Sequence, residues 1–221
     1  MADTTVKNFN STMPGAPVLN GVAGALIGLL DACLVTGYDV KSAVSLVVAG
    51  GVATLTWSGT HSAAEHSVIS ISGVTGPLVA LNGEQKVVTK PNATSVTFAT
   101  TAPDGTAAGT ITFKMAAAGW TKAFSATNVA VYKSTAVGSN GFCYRVDDTG
   151  TLGARVVGYE AMTDAATGVG PFPTAAQMSG GGWWAKSVTA NTTGIPWVVA
   201  ADSRTVLFHA APGVSANAAY R

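Results

Sequence analysis

Residues 45–57, SLVVAGGVATLTW, contain the pattern that decides the fold. Two runs of apolar and β-branched residues, 45–49 and 52–57, lie on either side of Gly50-Gly51. A two-residue glycine turn between two such runs is typical of a β-hairpin. This part of the chain is therefore predicted to form paired antiparallel strands.

Further β-branched runs follow at regular intervals along the chain. They cover residues 67–72, 85–89, 95–100 and 109–114, and the turn-forming clusters 73–77, 90–92 and 103–105 separate them. Five to six short strands with turn chemistry between them are the signature of a small antiparallel sandwich. We predict a small, immunoglobulin-like β-sandwich over residues 43–116.

The segment before the hairpin has the period of a helix. Apolar residues recur at three- and four-residue spacing over 21–36, and Gly37 stands where a glycine commonly ends a helix. These residues are Val22, Leu26, Ile27, Leu30, Cys33 and Leu34. We predict one N-terminal helix over about 21–36, with Cys33 as a core residue rather than a reactive thiol.

The remainder, 117–221, is strand-like but less regular. Its candidate strands are 128–134, 141–147, 154–161, 197–201 and 205–210, and residues 202–204 join the last two as a hairpin. Residues 168–187, rich in Gly and Pro, are predicted to form a long loop, and such loops commonly form functional contacts. The protein is thus predicted to be mainly β, with 43–116 inserted into a second β-rich domain of 1–42 plus 117–221.

Composition excludes several classes of protein. Only 10% of the 221 residues are charged, 48% are hydrophobic, and the net charge of +1 offers no basic face for nucleic acid. The hydrophobic fraction argues against a largely disordered chain, and two cysteines cannot build a disulfide framework or a four-thiolate zinc site. A surface with so little charge favours an assembly protein covered by neighbouring subunits; a small β-rich binding module is the alternative.

The N-terminus is predicted to be neither a signal peptide nor a membrane anchor. Residues 1–20 are polar and lack an apolar core, and the apolar stretch 21–35 contains Asp31 and is shorter than the roughly 20 residues that span a bilayer. We interpret residues 1–20 as an extended assembly arm that lies across a neighbouring subunit; a partly disordered terminus is the alternative. The apolar residues of this arm are Val6, Phe9, Met13 and Val18.

Few residues are candidates for chemistry. His61, Glu65 and His66 form H-x-x-x-E-H, whose histidines are too far apart to share a helical face as a zinc protease requires, so a polar hairpin loop is favoured. Asp147 and Asp148 are adjacent, point to opposite faces of a strand, and are predicted to end that strand in a turn. Since no nucleophile or phosphate-binding motif is present, we predict no enzyme activity, no catalytic residues, no metal and no cofactor.

Three aromatic residues form a candidate partner-binding site in the Gly-rich segment. Phe172, Trp183 and Trp184 would offer a large contact area to a sugar or a protein partner. Alternatively, they fill the core beneath the loop.

The chain resembles virion structural proteins of tailed bacteriophages. The segments that carry the resemblance are MPGAPVL (13–19), LLDACLV (29–35), LNGEQKVV (81–88), GTIT (109–112), RVDDTG (145–150), VVGYEAMTD (156–164) and GVGPFPT (168–174). They run over most of the chain, and none is a mechanistic motif. Members of this group continue beyond the position where this chain stops, at 217–221, so it is either a shorter member or a partial one.

The resemblance implies a location and a partner class rather than a reaction. It implies a non-enzymatic component of the virion that forms homo-oligomers and contacts neighbouring virion proteins. Its place would be on the capsid, as a decoration or cement protein, or on the tail, as a tube, tip or baseplate accessory. The segment 43–116 resembles the small immunoglobulin-like modules of phage capsids and tails. The alternative function is a host-receptor or carbohydrate-binding module that uses the aromatic, Gly-rich loop.

Overall fold

The structure, a computed structural model, describes residues 3–213, so the segment 217–221 lies outside it. The predicted fold class is confirmed: the protein is mainly β with antiparallel sheets, consistent with a β-sandwich class, and the described residues contain one α-helix. The strands are β1 (Lys7–Asn10), β2 (Tyr38–Ala49), β3 (Val52–Trp57), β4 (Val68–Ser72), β5 (Gly83–Lys86), β6 (Thr89–Asn92), β7 (Ser95–Ala99), β8 (Gly105–Thr106), β9 (Thr112–Met115), β10 (Trp120–Ala126), β11 (Val129–Ser134), β12 (Cys143–Asp147), β13 (Gly153–Tyr159), β14 (Ala161–Met162), β15 (Gly168–Val169), β16 (Gly182–Ala185), β17 (Trp197–Ala201) and β18 (Val206–Ala210). The helix α1 (Ala25–Leu30) continues as a π-helical segment (Asp31–Thr36), and a 3₁₀ helix spans Gly76–Leu81.

The chain folds into two compact units. The first comprises residues 3–8, Met13–Ala16 and Gly37–Ala117, and the second comprises Phe9–Thr12, Pro17–Thr36 and residues 118–213. This division differs from the predicted one at the N-terminus, where two short segments belong with the middle of the chain. That the middle of the chain is an independently folding insertion stays a prediction.

Hydrogen bonds explain why these two N-terminal segments belong to the first unit. The Lys7 ammonium donates to the Glu84 carboxylate at 2.9 Å. The Ser62 hydroxyl donates to the main-chain oxygen of Pro14. Contacts between residues so far apart in sequence produce no local sequence pattern. For this reason the sequence predicted residues 1–20 as one continuous arm and did not assign two of its segments to the first unit.

The first unit is built around the long strand β2. Its strands follow the order β5-β4-β9-β2-β3-β7-β6, and β8 also pairs with β2. The first half of β2 pairs with β9 and the second half with β3, with a register shift between Ala43 and Ser45. The predicted hairpin turn is confirmed, since Gly50 and Gly51 lie at φ +57° and +78° between β2 and β3.

Side chains along these strands point alternately into the core of the first unit and away from it. Every second residue of β3 is buried, as a strand with one face against a core requires, and Val96 and Phe98 of β7 continue this pattern. The buried apolar side chains of its main strands are Tyr38, Leu46, Val48, Ala53, Leu55, Trp57, Val68, Ile69, Ile71, Val96, Phe98, Phe113 and Met115. Each fully buried large side chain contributes about 1.5–3 kcal/mol relative to exposure, so this set accounts for much of the stability of the unit.

The second unit contains three sheets. The largest has five strands in the order β10-β11-β12-β13-β16, and the others are β1-β17-β18 and the pair β14-β15. The hairpin predicted at residues 202–204 is confirmed, because β17 and β18 pair from Trp197↔Ala210 to Ala201↔Val206.

The helix is shorter than predicted. It begins at Ala25 rather than near residue 21, because Gly24 precedes it in the left-handed region at φ +83°. Val22 is therefore outside the helix and 41% exposed. Cys33 is fully buried, as predicted, and this burial raises the pKa of its thiol far above the usual range, which makes it unreactive.

Six strands lie where the sequence predicted a turn, a loop or no regular structure. They are β1 in the assumed arm, β6 and β8 at the predicted turn clusters 90–92 and 103–105, β10 after residue 117, and β15 and β16 within the segment 168–187 that was predicted to be a loop. The glycines Gly180 and Gly181, both at positive φ, precede β16 and made the whole segment look irregular. The aromatic pair at 183–184 is in fact held in a sheet.

A buried ion pair joins three distant parts of the second unit. The side chains of Lys186 and Asp148 are both 0% exposed, and the ammonium donates to Asp148 Oδ1. The same ammonium donates to the Val22 carbonyl oxygen at 2.7 Å. Asp148 Oδ2 accepts the backbone N–H of Leu26 at 2.8 Å and of Ile27 at 3.2 Å, so it caps the first turn of α1 from outside the helix.

This ion pair generates a stability prediction. Asp148→Ala or Lys186→Met alone is expected to lower the free energy of unfolding of the second unit by about 3–5 kcal/mol, because the remaining buried charge is left uncompensated. The double variant Asp148→Leu/Lys186→Met is expected to lose less than the sum of the two single variants. Denaturant titration followed by near-UV circular dichroism measures these differences.

Lys122→Ala is the matched control. It removes a lysine from another ion pair of the same unit, Lys122–Asp31 at 2.6 Å, whose side chains are 34% and 25% exposed. Pairs accessible to water contribute about 1 kcal/mol or less, so this variant is expected to unfold almost like the wild type. Equal effects of Lys122→Ala and Lys186→Met would contradict the prediction.

Candidate functional site

The two tryptophans of the predicted aromatic site lie on opposite faces of the five-stranded sheet. In the pairing of β13 with β16, Trp183 is opposite Arg155 and Trp184 is opposite Ala154. Consecutive residues of a strand point to opposite faces, so the register separates the two indole rings. The sheet therefore does not unite Trp183 and Trp184 in one platform.

Trp183 is exposed and yet held in place. It is 52% exposed, and its ring lies so close to Gly153 that a Cβ there would stand 2.5 Å from two ring carbons. The Arg155 guanidinium carbon lies 4.8 Å from the centre of the ring, within the range of a cation–π interaction. Arg155 Nη1 also donates to the Gly181 carbonyl oxygen at 3.2 Å, which restrains the guanidinium over the ring.

We call Gly153, Arg155 and Trp183 the Trp183 surface. The sequence identified Trp183 but missed Arg155 and Gly153, because both lie on β13, 28 and 30 residues earlier in the chain, and only the pairing with β16 brings them beside Trp183. The sequence would have indicated these two residues only if 182–185 had been predicted as a strand that pairs antiparallel with 153–159.

Trp184 is half-buried, unlike the exposed Trp183. Its ring stacks on Phe208 of β18, with ring centres 5.3 Å apart and planes inclined by 23°. The alternative that the sequence left open, a role in the core, fits this residue only in part, because its ring packs on Phe208 while the residue is not fully buried.

Phe172 is exposed but lies apart from Trp183. It is 69% exposed, and its backbone exchanges two hydrogen bonds of 2.8 Å with Gly158 of β13. Residues directly opposite each other share a face, and Gly158 shares its face with Ala154, so Phe172 points to the side of Trp184. The three predicted aromatic residues consequently occupy three different environments.

The four apolar residues of the predicted arm differ in how far they are exposed. Val6 and Val18 are 46% and 60% exposed and remain available to a neighbouring subunit. Phe9 is 1% exposed, and the Met13 sulfur accepts a hydrogen bond from the Tyr38 hydroxyl at 3.1 Å. Phe9 is therefore not available to a neighbouring subunit and Met13 is half-buried, whereas an assembly role for Val6 and Val18 stays a prediction.

His61 and His66, considered above as metal ligands, differ completely in environment. His61 is 2% exposed, and its ring centre lies 4.4 Å from that of Phe113. Its Nδ1 accepts the N–H of Ala63 at 2.8 Å, so the neutral ring carries its proton on Nε2 and donates to the Asp39 carbonyl oxygen at 2.7 Å. The side chain of His66 is 80% exposed.

His61 thus lies in the loop between β3 and β4, as the sequence predicted, but its side chain is buried in the core rather than exposed. Within residues 3–213, no three His, Cys, Asp or Glu side chains come together as metal ligands would.

The environment of His61 predicts a pH dependence of stability. Burial lowers the pKa of His61 below 6.5, although the Asp39 carboxylate opposes this shift. The unfolded chain therefore binds a proton at a higher pH than the folded chain, and stability is lost as the pH falls below about 6.5 until the lowered pKa is reached.

The measurement is thermal unfolding of the first unit between pH 7.5 and 5. His61→Gln is expected to reduce the slope of stability against pH, because glutamine does not titrate. The exposed histidine provides the control, and His66→Gln is expected to retain the wild-type slope. An unchanged slope in His61→Gln would contradict the assignment.

Asp147 and Asp148 end β12 as predicted, but they have different roles. Asp147 Oδ1 accepts hydrogen bonds from the backbone N–H and the hydroxyl of Thr149, at 3.3 and 2.7 Å, which forms the expected turn. These bonds and the neighbouring Arg145 lower the pKa of Asp147 despite its partial burial. Asp148 is the buried partner of Lys186, a role that the sequence did not indicate.

Comparison of the chain with known protein families, with characterised proteins and with solved structures finds no match. None of the helices in residues 3–213 has the length and apolar character that a membrane crossing requires. The functional interpretation therefore depends on the surface chemistry of the protein and on the resemblance described above.

Proposed function

We propose that this protein is a non-enzymatic structural component of a tailed-bacteriophage virion that assembles as a homo-oligomer on the capsid or the tail. It would act as a decoration or cement protein, or as a tail or baseplate accessory, and contact copies of itself and neighbouring virion proteins. The observation that carries the assembly role is Trp183, which is 52% exposed and yet fixed between Gly153 and Arg155. The virion location is supported by the sequence resemblance.

A fixed, exposed tryptophan next to an arginine suits a protein–protein contact. Tryptophan and arginine are enriched among the residues that dominate binding energy at interfaces. Association ordinarily costs about 0.5–1.5 kcal/mol for each mobile side chain that becomes ordered. Because the contacts with Gly153 and Arg155 already restrain the Trp183 ring, much of this entropy is lost before a partner arrives.

The scarcity of charge supports the same role. Charged residues make up 10% of the chain, against about 25% in typical soluble domains. A subunit interface with few charges has little desolvation penalty to overcome when it forms. Among the described residues, the large aliphatic side chains at least half exposed are Val18, Val40, Val44, Val79, Val137, Val169, Val198 and Leu207.

The alternative function, a host-receptor or carbohydrate-binding module on the aromatic loop, has less support. Its platform required Phe172, Trp183 and Trp184 to act together, whereas β16 separates the two tryptophans and Phe208 covers Trp184. The adsorption assay below nevertheless distinguishes the two functions.

The assembly role predicts that Trp183→Ala weakens self-association of the purified protein by roughly thirtyfold, the effect of losing about 2 kcal/mol at an interface hot spot. Arg155→Ala is expected to weaken it in the same direction. Sedimentation equilibrium measures the association constant. Mass spectrometry of purified particles of the encoding phage is expected to find the wild-type protein and a reduced amount of Trp183→Ala.

Phe172→Ala is the matched control, since it removes another exposed aromatic ring on the other side of the sheet and is expected to retain wild-type assembly. A wild-type protein that remains monomeric at high concentration and is absent from particles would overturn the proposal. Trp183→Ala particles that assemble normally but fail to adsorb to host cells would favour the receptor function instead.

A further inference from the structure

The second unit contains an open cavity of about 470 Å³ that is separate from the Trp183 surface. Binding cavities for small molecules commonly measure about 300–1,000 Å³. The residues that line this cavity are Trp120, Ser134, Gly138, Ser139, Asn140, Phe142, Tyr144 and Arg204. Tyr144 lies opposite Gly158, so it shares the face of Trp184 and not that of Trp183.

Aromatic rings form the apolar part of the cavity. The rings of Trp120 and Tyr144 lie 5.6 Å apart, inclined by 39°. Trp120 is nearly buried, whereas Phe142 and Tyr144 are 40% and 37% exposed and offer ring surface to a ligand. Flat apolar surface of this kind suits a ligand with a flat apolar face, such as the C–H face of a pyranose ring.

The rest of the lining is polar and almost uncharged. Within residues 3–213, the structure gives the Ser139 hydroxyl and the Asn140 side-chain amide no protein hydrogen-bond partner, although both line the cavity. Hydroxyl and amide groups both donate and accept hydrogen bonds, which matches the hydroxyl groups of a sugar. The lining contains no carboxylate, and Arg204 is its one charged residue.

Arg204 is held at the cavity by two contacts. Its Nη2 donates to the Val137 carbonyl oxygen at 2.8 Å, and its backbone N–H donates to the Asp202 carboxylate at 2.7 Å. The Trp120 indole N–H donates to the Asp202 carbonyl oxygen at 2.7 Å, which ties the turn that carries Arg204 to the cavity floor. A positioned guanidinium recognises a carboxylate through paired N–H···O bonds.

We infer that this cavity binds an oligosaccharide that contains a hexuronic acid. The pyranose ring packs on Phe142 and Tyr144, its hydroxyl groups bond to Ser139 and Asn140, and its carboxylate pairs with Arg204. A nucleotide is a poorer fit, because a single guanidinium is the only cation for its several phosphate charges. The inference does not depend on the proposed assembly role, since it concerns the opposite face of the sheet.

The test titrates the purified protein with trigalacturonate and, separately, with the neutral trisaccharide maltotriose, by isothermal titration calorimetry at low ionic strength. We expect saturable binding of trigalacturonate that is at least about tenfold tighter than that of maltotriose, from the charge-assisted hydrogen bonds to Arg204. Added salt is expected to reduce this difference, because it screens an exposed ion pair.

Three variants locate the site. Arg204→Ala is expected to abolish the preference for the acidic sugar, and Phe142→Ala to weaken binding of both sugars. Lys90→Ala removes an exposed positive charge outside the cavity and is expected to bind like the wild type. Arg204→Lys retains the charge without the planar fork and is expected to recover part of the preference, provided that thermal unfolding shows both Arg204 variants folded.

Absence of saturable binding of trigalacturonate to the wild-type protein would overturn the inference. Binding that is unchanged in Arg204→Ala, or that falls equally in Lys90→Ala, would also overturn it, because the sugar would then be held by general electrostatic attraction. Neither result affects the assembly proposal, which Trp183→Ala tests by sedimentation.

Discussion

The buried ion pair between Lys186 and Asp148 is the interaction on which the second unit depends. Asp148 follows β12 and Lys186 follows β16, so the pair fixes where both strands end. Two charges without solvent contact are tolerated only when their hydrogen-bonding groups are satisfied, and Val22, Leu26 and Ile27 supply the backbone partners. The start of α1 and the ends of two strands are therefore set by one network.

The same network determines which tryptophan faces solvent. A slip of one residue in a strand moves every side chain to the opposite face. With Lys186 anchored at Asp148, Trp183 is opposite Arg155 on the outer face and Trp184 is turned towards Phe208. The buried Lys186–Asp148 pair therefore helps to determine the position of the Trp183 surface, which carries the proposed assembly role. As a result, the outer face of the sheet presents the restrained Trp183 ring and not both indole rings.

Sequence periodicity predicted the local elements well and the nonlocal ones poorly. The hairpin at Gly50-Gly51 was correct because its signal lies within adjacent residues, and so was the burial of Cys33 on the helical stripe. β16 was missed because glycines precede it and its partner β13 is distant in sequence. His61 lies in a loop as predicted, but its side chain is buried against Phe113 and Asp39 through contacts that no local sequence pattern reveals.

The sequence by itself determined the mainly β class, the hairpin, the approximate position of the helix and the scarcity of charge. Each of these depends on residue type and spacing over a few positions, where side-chain period and turn conformation are local properties. Only the tertiary structure decided that Phe9 is buried, that Arg155 restrains Trp183, and that Arg204 meets Phe142 and Tyr144 at one cavity. These outcomes depend on strand register and on contacts between segments that are distant in sequence. Backbone pairing between strands and the need to satisfy buried charges together determine that register and those contacts.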